Sequence, residues 1–421
     1  MEKRYPMQIN EAIDKLMAHC LVGKTEMIPI EHCDNRYLAE DIIATHDVPL
    51  FTRSGYDGYA IRAEDTKHCS STTPIEFKVV EELPAGRVPT KEIGAFEVSR
   101  IMTGAKTPKG ANAVIMLELV KEFNRNGEKY ISIKRKVKKG EHLSFQGEET
   151  KYGETIIKKG TRVNPGVKAV LATFGYARIP LAVKPKIGIF ATGSELLDVN
   201  EAMQEGKIRN SNSYMIVAQA KRIGADPVYL GLLPDEIETC FNSITSALKK
   251  FDIIITTGGV SVGDYDFMPE VYKRLNGEVL FNKVAMRPGS VTTVTALEGK
   301  LLFGLSGNPS ASYVGFDLFV RPILKRMLYC ENLFLKVVSA KLTFDFPKVN
   351  PFTRFIRGRL FYENGEILAG PVGMDKSNIV LSLAITDTLI ILPASTRAFQ
   401  KGDWVKVLLL EDNEGSQFLW E

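Results

Sequence analysis

Three short apolar runs that each end in a glycine-rich turn constrain this chain more than any other feature. They are Ile187-Gly-Ile-Phe-Ala-Thr-Gly-Ser-Glu195, Ile253-Ile-Ile-Thr-Thr-Gly-Gly-Val-Ser-Val-Gly-Asp-Tyr-Asp266 and Leu301-Leu-Phe-Gly-Leu-Ser-Gly-Asn-Pro309. A continuous apolar run of this length reads as a strand buried on both faces, the signature of a parallel sheet. Glycine lets the backbone turn sharply and approach a ligand. Such turns gather at the carboxyl edge of an open α/β sheet, where ligands bind. The first expectation is an anion pocket for a phosphorylated molecule.

The sequence around these runs supports that architecture. Apolar runs alternate with helical patterns: Ile187–Ala191, a helix near Ser211–Ile223, Val228–Leu232, a helix over Glu236–Lys250, Ile253–Thr257 and a helix near Met268–Leu275. Val279–Met286 and Val291–Thr295 read as a hairpin, followed by Leu301–Leu305 and a last helix from Pro309. Alternation of this kind predicts a mostly parallel, doubly wound α/β domain over residues 181–328.

The flanking regions differ in character. Ile9, Ile13, Leu16, Met17 and Cys20 share one face of an N-terminal helix, and a second helical piece is predicted around Asn35–Glu40. Residues 46–146 read as β-rich, with Asn124-Arg-Asn-Gly127 as a hairpin turn. Their basic run, Lys134–Lys139, reads as a solvated edge strand rather than a polyanion site. Asn164–Gly175 reads as a helix beginning near Pro165. The pattern predicts a discontinuous helical and extended domain, 1–45 with 147–180, interrupted by the β-rich insert. Residues 329–421 read as a small C-terminal β domain with turns at Asn364-Gly365 and Lys401-Gly-Asp403.

Composition narrows the class. Of 421 residues, 44% are hydrophobic and 25% charged, as in soluble globular proteins. A net charge of +4 is too small to argue for nucleic acid. The five cysteines are scattered without a Cys-x-x-Cys, which argues against a zinc site or disulfide framework and fits a reducing cytoplasm. No run approaches the roughly 20 apolar residues needed to span a membrane, and the N-terminal residues lead into an amphipathic segment rather than a signal core. P-loop and zincin motifs are missing.

Carboxylates recur beside the glycine turns: Asp57, Glu195, Asp264 and Asp266, with Asp235 after the Tyr229–Leu233 run. Acidic groups next to an anion site suit a hard cation such as Mg²⁺, which takes one or two carboxylates plus substrate phosphates. Helix capping is the competing explanation for Asp235 and Asp264. Lys283, Arg287 and Ser290 flank a Pro-Gly turn that can hold an oxyanion, and Ser306-Gly-Asn-Pro309 offers a hydroxyl and backbone N–H groups. Judged alone, Arg354, Arg357 and Arg359 are solvated strand charges and Ser377 is a turn residue.

Together these motifs are specific. Asp57-Gly-Tyr-Ala60, Arg100-Ile-Met-Thr-Gly-Ala105, Gly110-Ala-Asn-Ala-Val114, Thr192-Gly-Ser-Glu195, Gly258-Gly-Val-Ser-Val-Gly263 with Asp266-Phe, Pro288-Gly289 and Ser306-Gly-Asn-Pro309 occur in an order that resembles the molybdopterin molybdenumtransferase (MoeA) family, which includes the gephyrin E domain. The resemblance covers essentially the whole chain and is weakest in the last ninety residues or so. It implies a central domain of the molybdopterin-binding type, a four-domain elongated homodimer, and molybdate insertion into adenylylated molybdopterin with Mg²⁺-dependent release of AMP. It implies contact with the molybdopterin adenylyltransferase and with molybdoenzyme maturation proteins, a cytoplasmic location, and neither nucleic acid nor membrane as partner.

Carried onto this sequence, the resemblance gives catalytic roles to Asp57, Thr103, Glu195, Asp235 and Asp266, with Glu195, Asp235 and Asp266 as metal ligands. It places Lys283, Arg287, Pro288, Ser306, Arg357 and Ser377 at phosphate or oxyanion positions. The turn residues Gly193, Ser194, Gly258, Gly259, Ser261, Gly263 and Asn308 complete the expected binding site. Because the family's site lies between protomers, Asp57 and the C-terminal arginine are expected to arrive from other domains. Several positions depart from the family pattern: Thr52-Arg-Ser-Gly-Tyr56, Ser144-Phe-Gln146, Glu149 where Asp is usual, and Arg287-Pro-Gly-Ser290 in place of a Lys-Pro-Gly-Lys run. Arg287 replaces a point charge with a planar fork, and Ser290 removes a cation. They leave the choice between molybdate and tungstate open. Two alternatives also stand: a molybdopterin adenylyltransferase, and a non-catalytic molybdopterin-binding scaffold.

Overall fold

In the strand Ile253–Thr257, alternate side chains enter different cores. Ile253 and Ile255 join the cluster holding Ile216, Ala220 and Ile223, while Ile254 joins Cys240, Ile244 and Val271. A strand whose two faces both meet helices must be apolar throughout, which is why this run shows no polar alternation. The computed structural model describes residues 5–259, 268–394, 398–412 and 415–420. Ser261, Gly263, Asp264 and Asp266 lie outside the described residues.

The chain divides into two units, one of residues 1–40, 159–169 and 177–421, the other of 41–158 and 170–176. The larger contains a six-stranded sheet in the order Asp226–Leu233, Lys186–Thr192, Ile253–Thr257, Lys300–Leu305, Thr293–Leu297 and Glu278–Phe281. The first four run parallel, and Thr293–Leu297 runs antiparallel to both of its neighbours, Lys300–Leu305 and Glu278–Phe281. Asn212–Ile223 packs on one face and Ile237–Leu248 on the other. Gly224, at φ 104°, ends the former with its N–H returned to Lys221 O.

The last helix starts at Pro309 and contains a π-turn, Phe316–Val320, before continuing as Arg321–Met327. The π-turn carries Asp317, which is buried. Its Oδ2 accepts from Gln219 Nε2 at 2.9 Å, and Arg222 and Arg321 lie beside it. Burial pushes the Asp317 carboxyl up, and the two guanidinium groups pull it back.

Beyond this helix five strands close on themselves. Thr353–Glu363 pairs with Glu366–Pro371, then Lys336–Leu342, Trp404–Leu409 and Thr388–Leu392, which returns to Thr353–Glu363. Closure removes the exposed edges of so small a sheet. Ile356, Ile390 and Val407 fill the barrel, whereas Phe355, Leu389, Ile391 and Leu408 turn outward into the core of the α/β part.

The smaller unit is built on a six-stranded sheet ordered Ala113–Met116, Gly58–Ile61, Glu97–Ile101, Ile75–Leu83, Glu128–Ile133 and Val120–Arg125. Tyr59, Ile61 and Ile115 face one core, and Ala60, Val114 and Ile101 the other. Asn126 (φ 52°) and Gly127 (φ 79°) make the turn of the last hairpin.

Three local expectations are corrected. Asn35–Glu40 is not helical: Asn35 has φ 60°, and Tyr37 and Leu38 form isolated bridges to Arg162 and Leu181. Their consecutive burial gave a false helical signal. Lys134–Lys139 is not a strand, because Val137 turns into the core with its N–H on Thr66 Oγ1. The hairpin arm beginning near Val279 ends at Phe281. Met286–Arg287 leaves the sheet and pairs in parallel with Thr353–Glu363 of the barrel. All five cysteines are free. Among the described residues no helix is long and apolar enough to cross a membrane.

Candidate functional site

The three glycine-rich turns meet at one edge of the parallel sheet, and small residues allow it. A Cβ on Gly258 would lie 2.3 Å from Thr192 O, and one on Gly307 would lie 3.5 Å from Gly258 Cα. Gly258 also has φ 100° and donates its N–H to Leu305 O at 3.0 Å. Gly259, at φ 63°, packs against Thr192 Oγ1. Asn212, absent from the sequence-based expectations, ties the turns together. Its Nδ2 donates to Thr257 Oγ1 at 3.0 Å and to Gly307 O at 2.8 Å, and Thr257 Oγ1 donates to Ser306 O at 3.2 Å.

Glu195 lies just past the end of Lys186–Thr192, and Asp235 just past the end of the neighbouring strand Asp226–Leu233. Thr192 and Leu233 are register partners, so both carboxylates stand at the same sheet edge. Both are exposed. The Glu195 carboxylate folds over Gly193, where a Cβ would lie 2.5 Å from Oε2. Ser194 is held through its carbonyl by Lys207 Nζ. Asp235 is not the helix cap: Glu236 occupies that position. Among the described residues no three His, Cys, Asp or Glu side chains gather as a ready-made metal cage.

A cavity of about 270 Å³ opens beside this edge, between the α/β part and the barrel. Arg287, Pro288, Ser306, Asn308, Arg357 and Ser377 line it, as does Ser290. Lys283 is not in its lining; its carbonyl accepts from Met7 N–H. The Ser306–Asn308 turn therefore belongs to both places, touching Gly258 on one side and the cavity on the other. Its own geometry is fixed by Asn308 N–H donating to Ser306 Oγ at 3.2 Å. On the far wall Gly289, at φ 89°, forms the turn after the cis Arg287–Pro288 bond, with its carbonyl accepting from Thr292 Oγ1 at 2.8 Å.

Arg357 is 3% exposed and serves the cavity indirectly. Nη2 donates to Met374 O at 2.8 Å and Lys376 O at 3.1 Å, and Nη1 to Ile379 O at 3.3 Å. Burial pulls its pKa down against the opposing pull of Asp375. The same loop is pinned from the helix side: Ser310 N–H donates to Ser377 O and Ser310 Oγ to Ile379 O, both at 3.0 Å. Arg354, Asp375, Lys376 and Ser310 also line the cavity. Sequence reading passed over Ser310, Asp375 and Lys376 and set Arg354 aside as a solvated charge, because nothing local marks a loop as folded against a distant strand.

In the smaller unit, Asp57 and Thr103 meet because Gly58 and Ile101 are register partners. Asp57 Oδ1 accepts from Thr103 N–H and from Thr103 Oγ1, each at 2.7 Å. Those two bonds, the backbone one first, hold the exposed Asp57 carboxyl below the usual range. Glu149 is exposed, with its N–H on Val48 O.

Taken together, the larger unit offers exposed carboxylates at a sheet edge, close-packed glycine turns, and a cationic, hydroxyl-lined cavity one turn away. Such a surface can hold a phosphorylated molecule and an oxyanion side by side.

Known proteins share this layout. Residues 7–175 match a model of the MoeA N-terminal region (domain I and II), 188–326 a probable molybdopterin binding domain, and 339–410 the MoeA C-terminal region (domain IV). The molybdopterin molybdenumtransferase of Bacillus subtilis (strain 168) is 51% identical over 420 residues, covering 100% of this chain and 98% of the relative. That of Staphylococcus aureus (strain COL) is 45% identical, covering 100% and 99%. The crystal structure of a molybdopterin biosynthesis MoeA protein from Pyrococcus horikoshii OT3 superposes with a TM-score of 0.82 at 33% identity, covering 96% of this chain and 100% of that one. With half its residues identical to such a relative from end to end, this chain belongs to the molybdopterin molybdenumtransferase family.

Proposed function

We propose that this protein inserts molybdenum into adenylylated molybdopterin, in molybdenum cofactor biosynthesis, with release of AMP in a Mg²⁺-dependent step. The observation that carries this reading is the Ser306–Asn308 turn, which belongs both to the glycine-rich sheet edge and to the cationic cavity. A substrate with a phosphoanhydride at one end and an oxyanion acceptor at the other needs two such adjoining sites. Gly193, Ser194, Gly258 and Gly259 approach the pterin nucleotide closely, and Ser261 and Gly263 are assigned to the same site. Arg287, Pro288, Ser306, Asn308 and Ser377 receive molybdate, and Arg357 orders the loop beneath it.

Glu195 and Asp235 fit a hard divalent cation, being exposed carboxylates at the ends of adjacent parallel strands, and Asp266 is assigned with them. Mg²⁺, when bound, polarises phosphoryl oxygens and stabilises the charge that develops as AMP leaves. Asp57 and Thr103 contribute a carboxylate kept ionised by its own hydrogen bonds. We assign the chain four domains, 1–45 with 147–180, 46–146, 181–328 and 329–421, and a homodimeric, cytoplasmic state. Its protein partners in this reading are the molybdopterin adenylyltransferase and molybdoenzyme maturation proteins.

The test is AMP release from adenylylated molybdopterin and molybdate by purified protein. Turnover that requires Mg²⁺ supports the proposal. Nucleotide that binds but never turns over would replace it with the scaffold.

A further inference from the structure

We propose that Asp375 is a built-in counter-anion that occupies Arg354 and so matches the oxyanion cavity to a dianion; this rests on reading that cavity as the oxyanion site. The observation behind it is a clash of charge in the register. Met286–Arg287 pairs in parallel with Thr353–Glu363, and Arg287 is the register partner of Arg354. Partners on adjacent strands lie about 5 Å apart and point to the same face. Both residues line the cavity, together with Lys376 and the buried Arg357, and the Arg287 guanidinium lies 5.9 Å from the centre of the Phe352 ring. Four cations around one small space would bind anions of any kind tightly.

One of the four is neutralised and a second is partly engaged. Arg357 gives Nη1 and Nη2 to the carbonyls of Met374, Lys376 and Ile379, which hold its fork but leave its charge, and its buried Nε has no hydrogen-bond partner among the described residues. Arg354 gives Nε at 2.8 Å and Nη2 at 2.5 Å to Asp375 Oδ2, and its guanidinium is stacked 5.2 Å from the centre of the Phe346 ring. Arg287 and Lys376 have no ion-pair partner among the described residues. Asp375 thus takes one of the four charges away, leaving Arg287 and Lys376 without a counter-ion to meet a dianion such as molybdate, with the buried Arg357 adding to their field. The Arg354–Asp375 pair is not what holds the loop in place, since Arg357 and Ser310 do that from either side. Removing the carboxylate charge therefore changes the cavity's field more than its shape. A repulsive element of this kind sets selectivity as effectively as an attractive one.

The test uses inorganic molybdate and perrhenate, tetrahedral anions of similar size carrying two charges and one, titrated calorimetrically at fixed low ionic strength. Wild-type protein should bind molybdate more tightly. Asp375→Asn should tighten molybdate on the order of tenfold, with a smaller gain for perrhenate. Arg354→Gln, which leaves the carboxylate uncompensated, should weaken molybdate by a similar factor, and the double variant should return near wild type. Opposite signs from the two halves of one ion pair cannot come from a merely structural bridge, whose loss would weaken binding in both. Molybdate affinity that is unchanged or lower in Asp375→Asn, while Arg287→Gln still weakens it, overturns the role of Asp375 and leaves the cavity reading intact. No molybdate binding by wild type at all overturns the cavity reading itself.

Discussion

Arg357→Lys separates two jobs that a buried arginine at an anion site can do. A lysine keeps the positive charge, so a role in attracting the oxyanion by charge alone would survive. It cannot keep the geometry. The Arg357 fork reaches Met374 O and Lys376 O with one nitrogen and Ile379 O with the other, at 2.8, 3.1 and 3.3 Å. A single ammonium serves the first pair or the last acceptor, not both. Hydrogen bonds from a charged donor contribute about 1.5–3 kcal/mol each. Losing the longest of the three, and the planar packing with it, should cost about 2–3 kcal/mol of local stability. Amide hydrogen exchange reads this directly, because local opening free energies map onto exchange rates. The reporters are the N–H groups of Lys376, Ile379 and Ser310, whose acceptors are Met374 O, Lys376 O and Ser377 O. Their exchange should accelerate roughly thirty- to a hundred-and-fiftyfold, while amides of Ile253–Thr257 keep their protection. Wild-type protection at all three reporters in Arg357→Lys would show that the fork is not what organises this loop.

The remaining predictions concern the sheet edge and the smaller unit. Gly258→Ala and Gly299→Ala both place alanine at positive φ, but only the first meets backbone: Gly299 has nothing within 4 Å of the added Cβ. Both should lose about 1–2 kcal/mol to backbone strain, with Gly258→Ala losing a further 1–3 kcal/mol or so to overpacking, as read from urea unfolding; equal losses would mean that the turns are not in close contact. Thr103→Ala removes one of the two bonds that favour ionised Asp57, so the Asp57 carboxyl should titrate at higher pH, followed by carboxyl-carbon NMR. The sign follows from the depressed folded-state pKa. Its stabilising contribution is complete above the unfolded value and is lost as pH falls through the folded one, so the Asp57–Thr103 contact should loosen only in acid. An unmoved Asp57 titration in Thr103→Ala would contradict that.

Much of the central fold was legible in the sequence because buried parallel strands cannot alternate. Ile253–Thr257 and Leu301–Leu305 advertise burial on both faces with every residue, and the helices between them follow from 3.6-residue periodicity. Glycines at the turns marked the sheet edge for a steric reason now visible at Gly258, where no side chain fits. Long-range choices were not legible. Met286–Arg287 has the pattern of a hairpin arm, and only its pairing with Thr353–Glu363 shows that it crosses to the barrel. Asn212 looks like any polar residue opening a helix, yet it bridges two glycine turns. Arg357 entered the site through family likeness as an anion ligand, while its hydrogen bonds all go to backbone carbonyls. Asn35–Glu40 failed for the converse reason: buried Tyr37, Leu38 and Ala39 are consecutive, which fits a pinned extended segment as well as a helix.

Anomalous diffraction at the molybdenum edge, from crystals grown with molybdate, would place the metal without reference to activity. The predicted peak lies in the cavity bounded by Arg287, Ser290, Ser306 and Lys376. A peak at Thr192–Glu195 or elsewhere, with that cavity empty, would contradict the assignment of the oxyanion site.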